Sequence, residues 1–259
     1  MIDTHAHLNH SDFADDLPGA VARARAAGVN TIVNVGYDLA SSRDALQLAE
    51  EFDGLYATIG LHPHSALEYS DDLLRELQRL MACPGVVAVG ETGLDYYRDL
   101  APRDAQRVAF RGLAQAAVAA NLPLVVHNRD AHADTLEILA EIVPPEVPVI
   151  MHCFSGDQEF ARECRERDYY LGVTGPISYP KNQLLRDIVA VYPGKRLLLE
   201  TDCPWLAPQS HRGRRNEPSY LPEIAVCVAE VRGEPLPRIE EQTVENTRRV
   251  FRLPPEGDA

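Results

Sequence analysis

The sequence predicts a TIM barrel, an α/β fold, on three observations. Short β-rich runs recur eight times along the 259 residues, with helix-like stretches between them. Strand–helix alternation of this kind gives a parallel sheet, and eight such units in about 250 residues is the ordinary size of a (β/α)8 barrel. The third observation is chemical. Ionisable residues follow both the first and the last strand, and those two ends become neighbours only if the sheet closes.

The first unit starts at Met1–Asp3, where Ile2 leads directly into the histidines of His5-Ala6-His7. Thr31–Val35 is the second strand, and the helix after it, Ser42–Phe52, opens with serines. Leu55–Ile59 is the third. Ser70–Met81 follows with a good N-cap, and Asp71 and Asp72 sit in its first turn, where the helix dipole favours anions. Val86–Gly90 is the fourth strand. Its helix, Arg103–Asn121, is long and Ala-rich, with Pro102 just ahead of it. Leu124–Val126, Val149–Met151, Tyr169–Val173 and Arg196–Leu199 complete the eight strands, with helices at Ala133–Val143, Gln158–Arg167 and Asn182–Val191 between them. Tyr220–Val231 and Ile239–Phe251 are helices after the last strand. With no internal repeat and no linker, one domain is expected over 1–259. The tail after Leu253, Pro-Pro-Glu-Gly-Asp-Ala, is expected to fray.

Composition narrows the function. Lys and Arg number 25 against 39 Asp and Glu, for a net charge of −14, which argues against a passive, charge-driven nucleic-acid binder. It leaves room for an enzyme that holds a phosphodiester through metal ions. No apolar run approaches the roughly 20 residues of a membrane span. Met1-Ile2-Asp3-Thr4-His5 lacks the basic and apolar regions of a signal peptide, so a cytoplasmic protein without membrane contact is expected. The cysteines, Cys83, Cys153, Cys164, Cys203 and Cys227, are odd in number and form no C-x-x-C pair, which suits reduced thiols.

The informative residues stand at the strand ends, where barrel active sites lie. Residues i and i+2 of a strand face the same way, so His5 and His7 converge as a shared ligand pair must. Strand 4 ends in Glu91, strand 5 in His127, strand 6 in His152 and strand 8 in Glu200-Thr201-Asp202. Imidazole with carboxylate suits Zn, Mn, Fe or Ni, and carboxylates also accept Mg. Four histidines and two carboxylates exceed the needs of one tetrahedral ion; two metals bridged by a carboxylate would use them all, with Glu91 the candidate bridge. Any one of these residues alone reads more simply as a hydrogen-bonded structural group. Together, ionisable residues following apolar strands inward call for pairing or a metal.

Other residues are candidates beside plainer readings. His62 is a candidate to contact a phosphate or protonate a leaving oxygen, and otherwise packs in its loop; for His64 the choice stays open. Arg129 is a bidentate phosphate holder or a salt-bridge partner of Asp130. Asp95 is a candidate acceptor that orients a metal-bound histidine. Arg212, Arg214 and Arg215 form a basic cluster after strand 8, which is either a phosphate entry or a solvated loop. Tyr96, Tyr97 and Trp205 are candidates to stack bases or simply to pack. Strand alternation points Cys153 and Cys203 away from the neighbouring ligands, as structural residues.

Ile2-Asp3-Thr4-His5-Ala6-His7-Leu8, Gly60-Leu61-His62-Pro63-His64, Gly90-Glu91-Thr92-Gly93-Leu94-Asp95-Tyr96, His127-Asn128-Arg129, His152-Cys153-Phe154-Ser155-Gly156 and Leu198-Leu199-Glu200-Thr201-Asp202-Cys203-Pro204-Trp205 occur in that order. Arg212-Gly213-Arg214-Arg215-Asn216-Glu217-Pro218 and Glu245-Asn246-Thr247 follow. In these blocks the chain resembles the TatD family of metal-dependent deoxyribonucleases, within the amidohydrolase superfamily, over residues 1 to 253. The resemblance implies a TIM barrel with two divalent cations (Mg, Mn or Zn). One sits on His5, His7, Glu91 and Asp202, the other on Glu91, His127 and His152. It implies hydrolysis of DNA phosphodiesters from the 3′ end, with single strands or 3′ ends as partner and no obligate protein partner. The metals would lower the pKa of a shared water, and its hydroxide would attack phosphorus in line. Asp202 would accept the water's proton, so Glu91, Asp202 and His62 are the expected catalytic residues, and His62, Arg129, Arg212 and Arg215 the substrate-binding ones. Cys203 and Trp205 depart from the small and Tyr residues common in the family. The superfamily's carboxylated lysine is absent, its place held by Glu91. Two other readings stand beside this one: a metal-dependent hydrolase of another ester, such as an aminoacyl-tRNA, and a non-catalytic nucleic-acid-binding scaffold.

Overall fold

A computed structural model describes residues 1–254; the end of the expected frayed tail, from residue 255 on, lies outside the described residues. The strands are β1 (Ile2–Ala6), β2 (Thr31–Val35), β3 (Leu55–Ile59), β4 (Val86–Asp95), β5 (Leu124–Arg129), β6 (Val149–Met151), β7 (Tyr170–Val173) and β8 (Leu197–Leu199). They form one sheet in sequential order, and each neighbouring pair along it is parallel. The helices are α1 (Leu17–Ala26), α2 (Leu39–Glu51), α3 (Asp71–Met81), α4 (Arg103–Ala120), α5 (His132–Ile142), α6 (Gln158–Glu166), α7 (Gln183–Val191), α8 (Leu221–Arg232) and α9 (Leu236–Phe251). The fold is a TIM barrel.

The seam between β8 and β1 is closed by bonds that begin where β8 ends. The Asp202 N–H donates to the His5 carbonyl, and the His7 N–H to the Cys203 carbonyl, both at 2.9 Å. Thr4 Oγ1 donates to the Leu199 carbonyl at 3.0 Å. The buried Asp3 carboxylate accepts from Thr201 N–H at 2.9 Å and Thr201 Oγ1 at 2.6 Å.

One apolar cluster gathers Ile2, Val33, Val125, Ile150, Tyr170 and Leu198 from six strands, with Val250 and Phe251 of α9 against it. Val125 and Ile150 stand two residues before His127 and His152, on the same strand face. This cluster is therefore the floor beneath the site. The larger core lies between sheet and helices, with Phe110 and Leu113 of α4 and Leu77 of α3 fully buried in it.

The structure differs from the sequence reading in several elements. Helix α1 has no counterpart there, because its buried face is Ala20, Val21 and Ala24, small residues that give a weak apolar stripe among arginines. Helix α2 begins before Ser42, since Asp38 caps it in a reciprocal pair of bonds with Ser41. Strand β4 continues past Gly90 to Asp95, with a register shift against β5 between Val89 and Thr92. That bulge re-aims the chain at Glu91. Among the described residues, no helix is long and apolar enough to cross a membrane.

Candidate metal centre

The strand ends bring His5, His7, Glu91, His127, His152 and Asp202 into one pocket. His5 Nε2 and His7 Nε2 face each other at 3.1 Å, as the i, i+2 spacing requires. Glu91 Oε2 lies 3.5 Å from His5 Nε2 and 3.8 Å from His7 Nε2; Asp202 Oδ1 lies 3.8 and 3.5 Å from the same two nitrogens. A tetrahedral ion with bonds of about 2.0–2.1 Å separates its ligands by roughly 3.4 Å, so these four donor atoms fit one divalent cation.

Glu91 turns its other oxygen to a second group. Oε1 lies 2.7 Å from His127 Nδ1, 3.6 Å from His62 Nε2 and 3.7 Å from His152 Nε2. His62, Glu91 and His127 form one compact trio, and His5, His7 and Asp202 another. His152 stands between them. It stacks on His5 with centroids 3.4 Å apart, and its Nε2 is also 3.7 Å from Asp202 Oδ1. The second donor group thus has His62 closer than a set of Glu91, His127 and His152 implies.

Several rings are held from behind. His7 Nδ1 lies 3.3 Å from the Val35 carbonyl, an arrangement that puts the proton on Nδ1 and the Nε2 lone pair in the pocket. His127 presents Nδ1 to Glu91 and Nε2 to Asp95 Oδ2 at 3.3 Å. Asp95 is itself fixed by the Tyr97 and Arg98 N–H groups, and its Oδ2 also meets His64 Nε2 at 2.9 Å. His152 Nδ1 lies 2.9 Å from Glu200 Oε1, a charge contact poorly aligned for a hydrogen bond. Among the described residues, His5 Nδ1 is buried without a hydrogen-bond partner.

Charge follows the same geometry. Burial opposes ionisation of Glu91, but His62 and His152 with His127 and His5 outweigh it and hold its carboxyl well below the usual range. Asp202 is likewise lowered, by His152, His7 and His5 against burial. Burial and the neighbouring His152 lower His5. Burial lowers His62 to about 3 and keeps it neutral, which suits a hydrogen-bonding or ligating role better than that of a proton donor. His152 goes the other way: Glu200, Glu91 and Asp202 overcome burial and raise it to about 10.

The structure places the remaining candidates as follows. Arg129 lies over the ring of Tyr97 at 4.2 Å, and no ion pair joins it to Asp130 among the described residues. Arg212 lies over Tyr179 at 4.6 Å. Arg215 is engaged by Asp16 Oδ2 at 2.7 Å, Glu217 Oε2 at 3.4 Å and the Asp12 carbonyl at 2.8 Å, which ties the loop after β8 to the start of α1. Cys153 requires a correction. Its φ of +44° breaks the strand alternation, and its thiol joins His152 and Asp202 in a compact group instead of pointing away. Sequence reasoning also left Glu200 without a role. It follows β8 two residues before Asp202 and groups with His5 and His152, whereas Asp202, at φ +57°, groups with His5 and His7.

A parallel barrel with histidines and carboxylates gathered at its strand ends is the framework of a metal-dependent hydrolase. Comparison with known proteins gives the family. The family described as TatD related DNase matches residues 2–252, and the chain belongs to it. It is 42% identical to an uncharacterized metal-dependent hydrolase, YabD, of Bacillus subtilis, covering 98% of this chain and 99% of that one. It is 37% identical to the protein named 3′-5′ ssDNA/RNA exonuclease TatD of Erwinia tasmaniensis, over 98% and 100%. The solved structure of YJJV, a TatD homologue from Escherichia coli, superposes with a TM-score of 0.93 at 32% identity, over 98% of both chains. The protein is a metal-dependent hydrolase of this family.

Proposed function

We propose that the chain is a 3′–5′ exonuclease of single-stranded DNA and RNA that works with two divalent cations, Mg, Mn or Zn, as one catalytic domain in the cytoplasm. The observation that carries this reading is the position of Glu91, whose two oxygens face two different donor groups. The names of the TatD relatives support the substrate. His5, His7, Glu91 and Asp202 would hold one cation, and Glu91, His127 and His152 the other, with His62 beside them. Cations held there would supply Lewis acidity toward a phosphodiester and lower the pKa of water.

The chain's own residues do the rest. The Asp202 carboxylate, kept ionised by its histidines, accepts the proton of the attacking water on the oxygen not turned to the cation. His62 Nε2 reaches the substrate phosphate as a neutral group. Asp95 orients His127, and Glu200 orients His152. Arg129 and Arg212, both stacked on tyrosines, face backbone phosphates, while Arg215 is anchored by Asp16 and Glu217 and has a structural role. The test is a 5′-labelled single-stranded oligonucleotide with Mg²⁺ or Mn²⁺, run beside Glu91→Ala and a chelator. A ladder shortening from the 3′ end, absent from both controls, is expected. No cleavage by folded, metal-loaded protein would overturn the reading.

A further inference from the structure

We propose that Trp205 is the stacking platform for the terminal base of the strand, and that this platform makes the site prefer an unpaired, base-bearing end. The inference deepens the exonuclease reading and rests on it. Trp205 is the only tryptophan of the sequence. Its indole meets the ring of His7 edge-on, with centroids 5.1 Å apart and the planes at 65°. His10 packs on it in the same way, also at 5.1 Å. The indole therefore stands one ring back from the metal cluster, against His7.

Two further observations mark it as a platform. The first is rigidity. The Trp205 N–H donates to the Asp202 carbonyl at 3.0 Å, and Asn216 Nδ2 donates to the Trp205 carbonyl at 2.6 Å and to the Thr201 carbonyl at 2.8 Å. These bonds fix the main chain of Trp205 to the segment that carries Asp202, and the rings of His7 and His10 pack on its indole. The second is exposure. Trp205 is 45% exposed, and among the described residues no guanidinium lies over it. Tyr97 and Tyr179, by contrast, are covered by Arg129 and Arg212.

A nucleotide whose phosphate reaches the cluster carries its base about one sugar away, a reach that takes in an indole packed against His7. Every base has a π face, so stacking there holds any sequence and asks only that the base be unpaired. A blunt duplex end keeps its base in the helix and forfeits the contact.

The single tryptophan makes the test direct. In the metal-loaded protein, thymidine 5′-monophosphate is expected to quench the indole emission, and deoxyribose 5-phosphate, which lacks the base, is not. In cleavage assays the wild type is expected to show a KM roughly tenfold lower for a normal 3′ end than for an abasic one, within the range that one base stack is worth. Trp205→Ala should bring that ratio close to one, while Trp205→Phe keeps most of it. Equal quenching by both phosphates, or an unchanged ratio in Trp205→Ala, would overturn the platform. Wild type that cuts both ends alike without base-dependent quenching sinks the platform and leaves the exonuclease standing. Wild type that cuts neither, yet is quenched only by the base-bearing nucleotide, sinks the exonuclease and supports the platform.

Discussion

Glu200 occupies the space that a side chain at Gly172 would fill. A Cβ built on Gly172 would fall 2.3 Å from Glu200 Oε2 and 2.5 Å from Oε1. A glycine in β7 is therefore the cavity that lets a carboxylate of the neighbouring strand stand upright behind His152 and accept the Cys153 N–H at 2.5 Å. Gly172→Ala should displace Glu200 and loosen His152. Losing such an outer partner commonly costs 10–100-fold in metal affinity or activity. Mn²⁺ titration calorimetry on Gly172→Ala and Glu200→Gln is expected to show a loss of about that size in both, with circular dichroism spectra like the wild type.

The arginines after β8 should divide by role. Arg212→Ala is expected to raise KM for an oligonucleotide several-fold and to flatten the dependence of KM on salt, since one fewer cation meets the backbone. Arg215→Ala should leave KM within about twofold and lower stability by roughly 1–2 kcal/mol, because the loop after β8 loses its own bonds to Asp16 and the Asp12 carbonyl while Arg23 still bridges Asp16 and Glu217. Salt-dependent kinetics and urea melts on the two variants separate these outcomes.

Asp3 gives a pH prediction. Burial, against its hydrogen bonds from Thr201 and His5, raises its pKa from 3.8 to about 7. The native state then keeps a proton that the unfolded chain gives up between those values. The unfolded state binds fewer protons there, so this group erodes stability as pH rises from about 4 to 7, and the whole cost is in place above 7. Asp3→Asn has no such titration. Its stability relative to wild type should climb across that window, by an amount on the order of a few kcal/mol at most. Urea midpoints of chelated protein at several pH values between about 4.5 and 7.5 would show it; a constant difference would refute it.

Cation binding should stabilise the fold. An ion at 100 times its dissociation constant adds about 2.7 kcal/mol if it binds only the native state. For a chain of this size that is roughly 5–10 °C in Tm. Calorimetry with Mn²⁺ and then with excess chelator is expected to show that drop in the wild type and almost none in Glu91→Ala.

Much of the site was legible because strand ends place side chains by simple rules. His5 and His7 converge through the period of two, and His127 and His152 each follow an apolar run that sits on the floor beneath them. What escaped the sequence are the places where the backbone leaves the strand. Cys153 and Asp202, at φ +44° and +57°, turn against alternation, so one thiol faces the cluster and Glu200 and Asp202 fall into different donor groups. The pairing of His64 with Asp95 depends on the bulge in β4, which periodicity does not reveal. Helix α1 was hidden by the small residues of its buried face.

The seam between the first and last strands carries a consequence for assembly. His5 and Asp202 stand at opposite ends of the barrel's strand order, and the amide that seats the His5 carbonyl belongs to Asp202. A polypeptide stopped anywhere before that residue owns the two opening histidines, but neither the carboxylate that faces them nor the bonds that lock them in place. Formation of the complete donor cluster is therefore tied to closure of the whole barrel.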